Sequence, residues 1–103
     1  MSTTDRLQLQ AVLEALLGSD FVYFQPPANV QMQYPCIVYR RMSARTDFAG
    51  NNPYRYDKRY QVTVIDRNPD SDIPDKVAGL PKCVFDRHFV ANNLNHDVFN
   101  LYV

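Results

Sequence analysis

Residues 54–66 of this 103-residue chain carry a period of two: Tyr56, Tyr60, Val62 and Val64 fall on one side of an extended backbone, and Arg55, Asp57, Arg59, Gln61 and Thr63 on the other. Successive side chains of a strand point to opposite faces, so this period of two predicts a strand over 54–66 with one dry face and one wet face. A lone strand of this kind is unstable. It needs partners along its edges and a layer over its apolar face.

The rest of the chain supplies both. Residues 21–24 (Phe-Val-Tyr-Phe) form a short aromatic strand, stopped by Pro26 and Pro27, which have no amide to continue a ladder. Cys36-Ile37-Val38-Tyr39 begins a strand predicted to reach Arg45. Between it and the 54–66 strand, Phe48, Gly50, Asn51, Asn52 and Pro53 predict a loop over 46–53, giving a long hairpin with an extended tip. A fourth strand is expected over 82–91, then a turn at Asn92, Asn93 and Asn95, then a last strand carrying Val98, Phe99, Leu101, Tyr102 and Val103.

Leu9, Val12, Leu13 and Leu16 recur at helical spacing and predict a helix over 5–17, with Gln8, Gln10 and Glu14 towards water. Ser2, Thr3 or Thr4 can cap it, Asp5 suits its positive end, and Gly18 suits its stop. A short second helix begins near Ile73, with Asp72 as its cap, Pro74 in its first turn, Val77 and Leu80 buried, and Gly79 with Pro81 ending it. The expected fold class is α+β: an N-terminal helix packed on a mainly antiparallel four- or five-stranded sheet, with a short second helix before the last two strands. Residues 1–103 are expected to make a single domain.

Eleven basic and eleven acidic residues leave no net charge, which does not suggest a nucleic-acid binder. Seven Tyr and six Phe suit a strand-rich core and equally suit protein contacts, where a ring stays dry and a hydroxyl is bonded. Cys36 and Cys83 lie among apolar neighbours with no paired-cysteine motif, so both are expected as reduced, buried thiols in a cytoplasmically folded, soluble chain. No long apolar run is present to act as a membrane span or a secretory leader.

Little in the chain promises bond-making chemistry. It has no serine elbow, phosphate loop, dinucleotide fingerprint or H-E-x-x-H pattern. The run 66–72 alternates oxygen-bearing side chains, but a calcium loop starting at Asp66 would need Gly at Ser71 and Glu at Val77. Turn formation and helix capping account for those acids. Cys83, Asp86, His88, His96 and Asp97 would have to converge to hold zinc, yet a strand puts Asp86 and His88 on one face and Cys83 on the other. Asp57, Lys58 and His88 make no recognisable catalytic constellation. No catalytic residue, cofactor or metal ligand is assigned, and the chain is not expected to be an enzyme. Arg40, Arg41, Arg45, Arg55 and Arg59 gather on the two hairpin strands, interrupted by Asp47 and Asp57, as suits subunit or lumen contacts.

Tyr23-Phe24-Gln25-Pro26-Pro27, Met32-Gln33-Tyr34-Pro35-Cys36-Ile37-Val38-Tyr39 and Tyr60-Gln61-Val62-Thr63-Val64-Ile65-Asp66 resemble segments of the tail terminator, or tail completion, family of long non-contractile-tailed bacteriophages. So do Ile73-Pro74, Leu80-Pro81 and the stretch from Phe85-Asp86-Arg87 to Asn93-Leu94-Asn95-His96, so that the resemblance spans residues 20–103. It implies a virion structural protein at the top of the tail, forming a homo-oligomeric ring, expected to be a hexamer. Such a ring caps the tail tube, ends its polymerisation and presents a surface for head–tail joining. The implied partners are the tail tube protein and a head-completion or neck protein, with DNA passing through the ring without sequence-specific binding and no membrane involved. A neck or head–tail connector protein, and a small bacterial adaptor module, are the alternative readings. In the terminator reading the assembly contacts are expected at Phe48, Asn51, Asn52, Tyr54, Arg55 and Arg59, around the hairpin tip.

Overall fold

The computed structural model describes residues 4–49 and 52–102. Helix α1 (Thr4–Leu17) is followed by β1 (Val22–Phe24), β2 (Cys36–Ala49), β3 (Asn52–Asp66), α2 (Ile73–Ala78), β4 (Cys83–Ala91) and β5 (Leu94–Tyr102). The strands form one sheet in the order β1-β2-β3-β5-β4. Only β1 and β2 run parallel; the other neighbours are antiparallel. The fold is therefore α+β, with the short helix before the last two strands.

Both helices lie on one face of the sheet. Leu9 and Leu13 of α1 and Ile73 and Val77 of α2 join Ile37, Tyr39, Tyr60, Val62, Val64, Phe99 and Leu101 in a single core. The 54–66 alternation delivers this face, since Tyr60, Val62 and Val64 all point under the helices. Phe24, Tyr39 and Tyr60 pack as a tilted aromatic row, with centroids 4.9 Å apart for the first pair and 6.0 Å for the second.

The helix phase differs from expectation at two positions. Leu13 is fully buried, but Val12 is 41% exposed. Gln10, expected to face water, turns inward: its Nε2 donates to Val22 O (3.0 Å), and its Oε1 accepts from the Tyr39 hydroxyl. The aromatic row puts a hydroxyl at the helix–sheet boundary, and a buried hydroxyl needs a partner. Thr4 is already helical, and Ser2 and Thr3 lie outside the described residues. Gly18 ends the helix at φ +80°, its amide donating to Glu14 O (2.9 Å), in the left-handed conformation that favours glycine.

The hairpin is more regular than expected. Of the predicted 46–53 loop, the described residues are ladder: Thr46 pairs with Tyr56, Asp47 with Arg55, Phe48 with Pro53 and Ala49 with Asn52. Strand β2 thus runs past Arg45, and β3 starts before Tyr54. The turn formers that suggested a loop are accommodated by a register shift between Asp47 and Phe48, which leaves Tyr54 as the extra residue on β3. Gly50 and Asn51 lie outside the described residues.

Smaller differences follow from hydrogen bonding. Asp72 makes no side-chain cap on α2; the Ser71 hydroxyl accepts from Ile73 N (3.3 Å), and Asp72 instead pairs with Lys76 at 3.8 Å. Lys82 is not strand but a turn residue at φ +58°. Asn92 and Asn93 alone make the β4–β5 turn, at φ +54° and +61°, so β5 begins at Leu94 and Asn95 belongs to the strand. Cys36 is buried as expected, whereas Cys83 is half-buried.

Candidate functional site

The sheet is longer than the layer that covers it. The β1 pairing with β2 stops at Phe24↔Tyr39, and the β5 pairing with β3 stops at Arg59↔Tyr102. Beyond those points β2 and β3 pair only with each other, out to Ala49↔Asn52. A strand rises about 3.3 Å per residue, so the 15-residue β3 spans about 50 Å. That matches the long axis of the molecule, whose extents are 51 × 24 × 23 Å. The radius of gyration, 14.8 Å, exceeds the roughly 13 Å of a compact domain this size, and the 6595 Å² surface exceeds the roughly 5,900 Å² of a globular one. A two-stranded arm accounts for both excesses.

The backbone of Phe48, Asn52, Tyr54 and Arg55 lies at the far end of this arm, as strand and not as loop. Asn51 lies outside the described residues. Arg59 is apart from them, at the arm's root between Ser43 and Tyr102. It is half-buried, and its Nε is buried with no hydrogen-bond partner. The five described contact residues therefore divide between the two ends of one arm.

The outer edge strand β4 is a second surface. Val84, Phe85, Phe89 and Val90 are exposed there, Val84 and Val90 at 57% and 61%. Long apolar edges are templates for further pairing, and native chains interrupt them. Here the interruption is a bulge between Phe85 and Arg87 that leaves Asp86 without a register partner and overturns the simple alternation expected for Asp86 and His88. His88 pairs across to Asp97 and Cys83 to Leu101, while His96 stacks on Phe89 with centroids 4.5 Å apart. Among the described residues, no three His, Cys, Asp or Glu side chains are grouped to hold a metal ion.

A third surface was not foreseen. On the sheet face opposite the helices lies an open depression of about 720 Å³. Met32, Val38, Phe89 and Val98 line its apolar part, and Arg40, Arg41 and Arg87 stand around it with no carboxylate among the lining residues. Arg40 Nε donates to Gln61 Oε1 (3.3 Å), and Arg87 meets Asp86 at the rim (2.8 Å). The available signal was the density of Cys36-Ile37-Val38-Tyr39 and Val62-Thr63-Val64-Ile65: apolar residues on both phases of a strand mark a sheet greasy on both faces.

Burial is the main cause of the shifts at Cys36, Tyr39 and Cys83. Loss of water pushes the Cys36 thiol up to about 12, with the Asp66 carboxylate adding to the effect. Burial likewise raises Cys83. Burial raises the Tyr39 hydroxyl against the lowering effect of Arg6, whose Nη1 donates to it at 3.3 Å. A raised thiol or phenol is a weaker nucleophile or base at neutral pH, the reverse of activation. The run 66–72 is a chain of Asx turns: Asp66 Oδ1 accepts from Asn68 N and Asn68 Oδ1 from Asp70 N, both at 3.0 Å. Among the described residues no helix is long and apolar enough to cross a membrane. No family model matches the chain, and no curated protein matches it.

Proposed function

We propose that this chain is a bacteriophage tail terminator, a structural protein that forms a ring on the last tier of the tail tube, stops its growth and offers a surface for head–tail joining. The observation that carries this reading is the arm of β2 and β3, which extends beyond the helices and every other described strand. A two-stranded ribbon is marginal by itself in water and gains stability by lying against another surface. In a ring that surface is the neighbouring copy or the tube, and the far end of the arm carries Phe48 and Tyr54 as aromatic anchors. Arg55 and Arg59, with nearby acids, set the register of contact. The protein works through surfaces, with no bond-making step, no cofactor and no membrane.

Electron microscopy of tails assembled with and without the protein tests the reading. Its loss should give tubes of uncontrolled length that fail to join heads, and deletion of residues 48–52 should spare the fold but impair joining. Tubes of normal length that still fail to join heads would assign the chain to the neck instead. Tails of normal length and attachment would reject both.

A further inference from the structure

The zero net charge of this chain conceals two patches of opposite sign. The depression on the open face is bordered by Arg40, Arg41 and Arg87 and has no lining carboxylate. The segment 68–75 leads into α2, on the covered face, and holds Asp70, Asp72 and Asp75, all exposed, between Arg67 and Lys76, with Lys76 3.8 Å from Asp72. The segment is also preorganised. Asn68 N is tied to Asp66, Asp70 N to the Asn68 side chain and Ser71 N to Asn68 O (3.3 Å), so little entropy is lost when it docks.

We infer that the open-face depression receives the acidic segment 68–75 of a second copy, so that copies join head to tail. The charges are complementary, and the apolar part of the depression, at Met32, Val38, Phe89 and Val98, suits Pro69 and Pro74, which flank Asp70 and Asp72. The two patches are different surfaces, so the contact is heterologous: each copy offers a donor patch and an acceptor patch, and the repeated contact makes a ring where its rotation closes and a filament where it does not. This inference rests on the ring reading above and identifies the interface that would build it.

The test is sedimentation of the full chain at micromolar to millimolar concentration in low and high salt. The wild type should self-associate, less so in high salt. Arg40→Glu with Arg87→Glu, or Asp70→Lys with Asp72→Lys, should each weaken association by about tenfold or more. Mixing these two proteins should restore association in alternating order, because the unaltered acids of one meet the unaltered arginines of the other and the two reversed patches are again opposite in charge. A chain carrying all four changes should associate again, and this recovery separates a lost interface from a lost fold. A wild type that stays monomeric at millimolar concentration, association unaffected by either reversal, or association lost only when the arm is shortened would each overturn the inference. A chain that remains monomeric yet caps tubes in the microscope would sink this interface alone; one that associates as described but leaves tube length and joining unchanged would sink the terminator reading alone.

Discussion

The Tyr39 hydroxyl donates to Oε1 of Gln10, joining the second strand to the first helix at the edge of the core. The same glutamine donates to Val22 O (3.0 Å) and Glu14 Oε2 (3.1 Å), so one side chain connects α1, β1 and β2. Arg6 completes the group, donating to the Tyr39 hydroxyl (3.3 Å) with its guanidinium 4.6 Å from the Phe24 ring centre.

Gln10→Ala should therefore destabilise the fold by about 1–3 kcal/mol, because it leaves a phenol and a strand carbonyl short of partners. Tyr39→Phe, which removes the hydroxyl and keeps the ring, should cost less. Urea unfolding should show the double variant less destabilised than the sum of the singles, since the two residues share a bond.

The helix phase can be checked at adjacent positions. Leu13→Ala removes a side chain with no solvent exposure and should cost about 2–5 kcal/mol. Val12→Ala, at a residue 41% exposed, should stay within about 0.5 kcal/mol. Thermal unfolding of the two variants decides whether the stripe is centred on Leu9 and Leu13.

The thiols should differ in reactivity. At pH 8 Cys36 should resist alkylation in the folded protein, since both its burial and its raised pKa suppress the thiolate, and Cys83 should react faster because it is only half-buried. The raised Cys36 value has a consequence for stability. Above its ordinary value of 9.0 the unfolded thiol loses its proton while the folded one keeps it up to about 12. The unfolded state then binds fewer protons, so the Cys36 contribution to stability is complete below pH 9 and declines as pH rises towards 12. Cys36→Ala should flatten that part of a stability–pH profile.

The β4–β5 turn places Asn92 and Asn93 at positive φ. Asn93→Gly should be tolerated, and Asn93→Val should cost about 1–2 kcal/mol, because a branched side chain clashes in the left-handed region. Denaturant melts of the two variants check the turn.

Much of this fold is readable along the chain. The alternation at 54–66 marks which residues of β3 face the core, Gly18 marks the end of α1, and the paired asparagines mark the last hairpin, all because these preferences act over a few residues. The hairpin tip misled for the same reason: Pro53 and its polar neighbours have the composition of a loop, but a register shift at the arm's end keeps them in the ladder. Gln10 misled because its polarity says nothing about a tyrosine hydroxyl 29 positions away.

Local pattern established the elements, the greasy side of the central strand and the absence of a familiar catalytic motif. Only the folded arrangement decided that β3 lies between β2 and β5, that β4 is left as an apolar edge, that the paired ends of β2 and β3 outrun the covering helices, and that cationic side chains from separate strands border one depression. These features depend on which distant segments pair and where each partner stops. That choice is settled by burial summed over the whole sheet against the entropy of closing the connections, a balance no short window of residues contains.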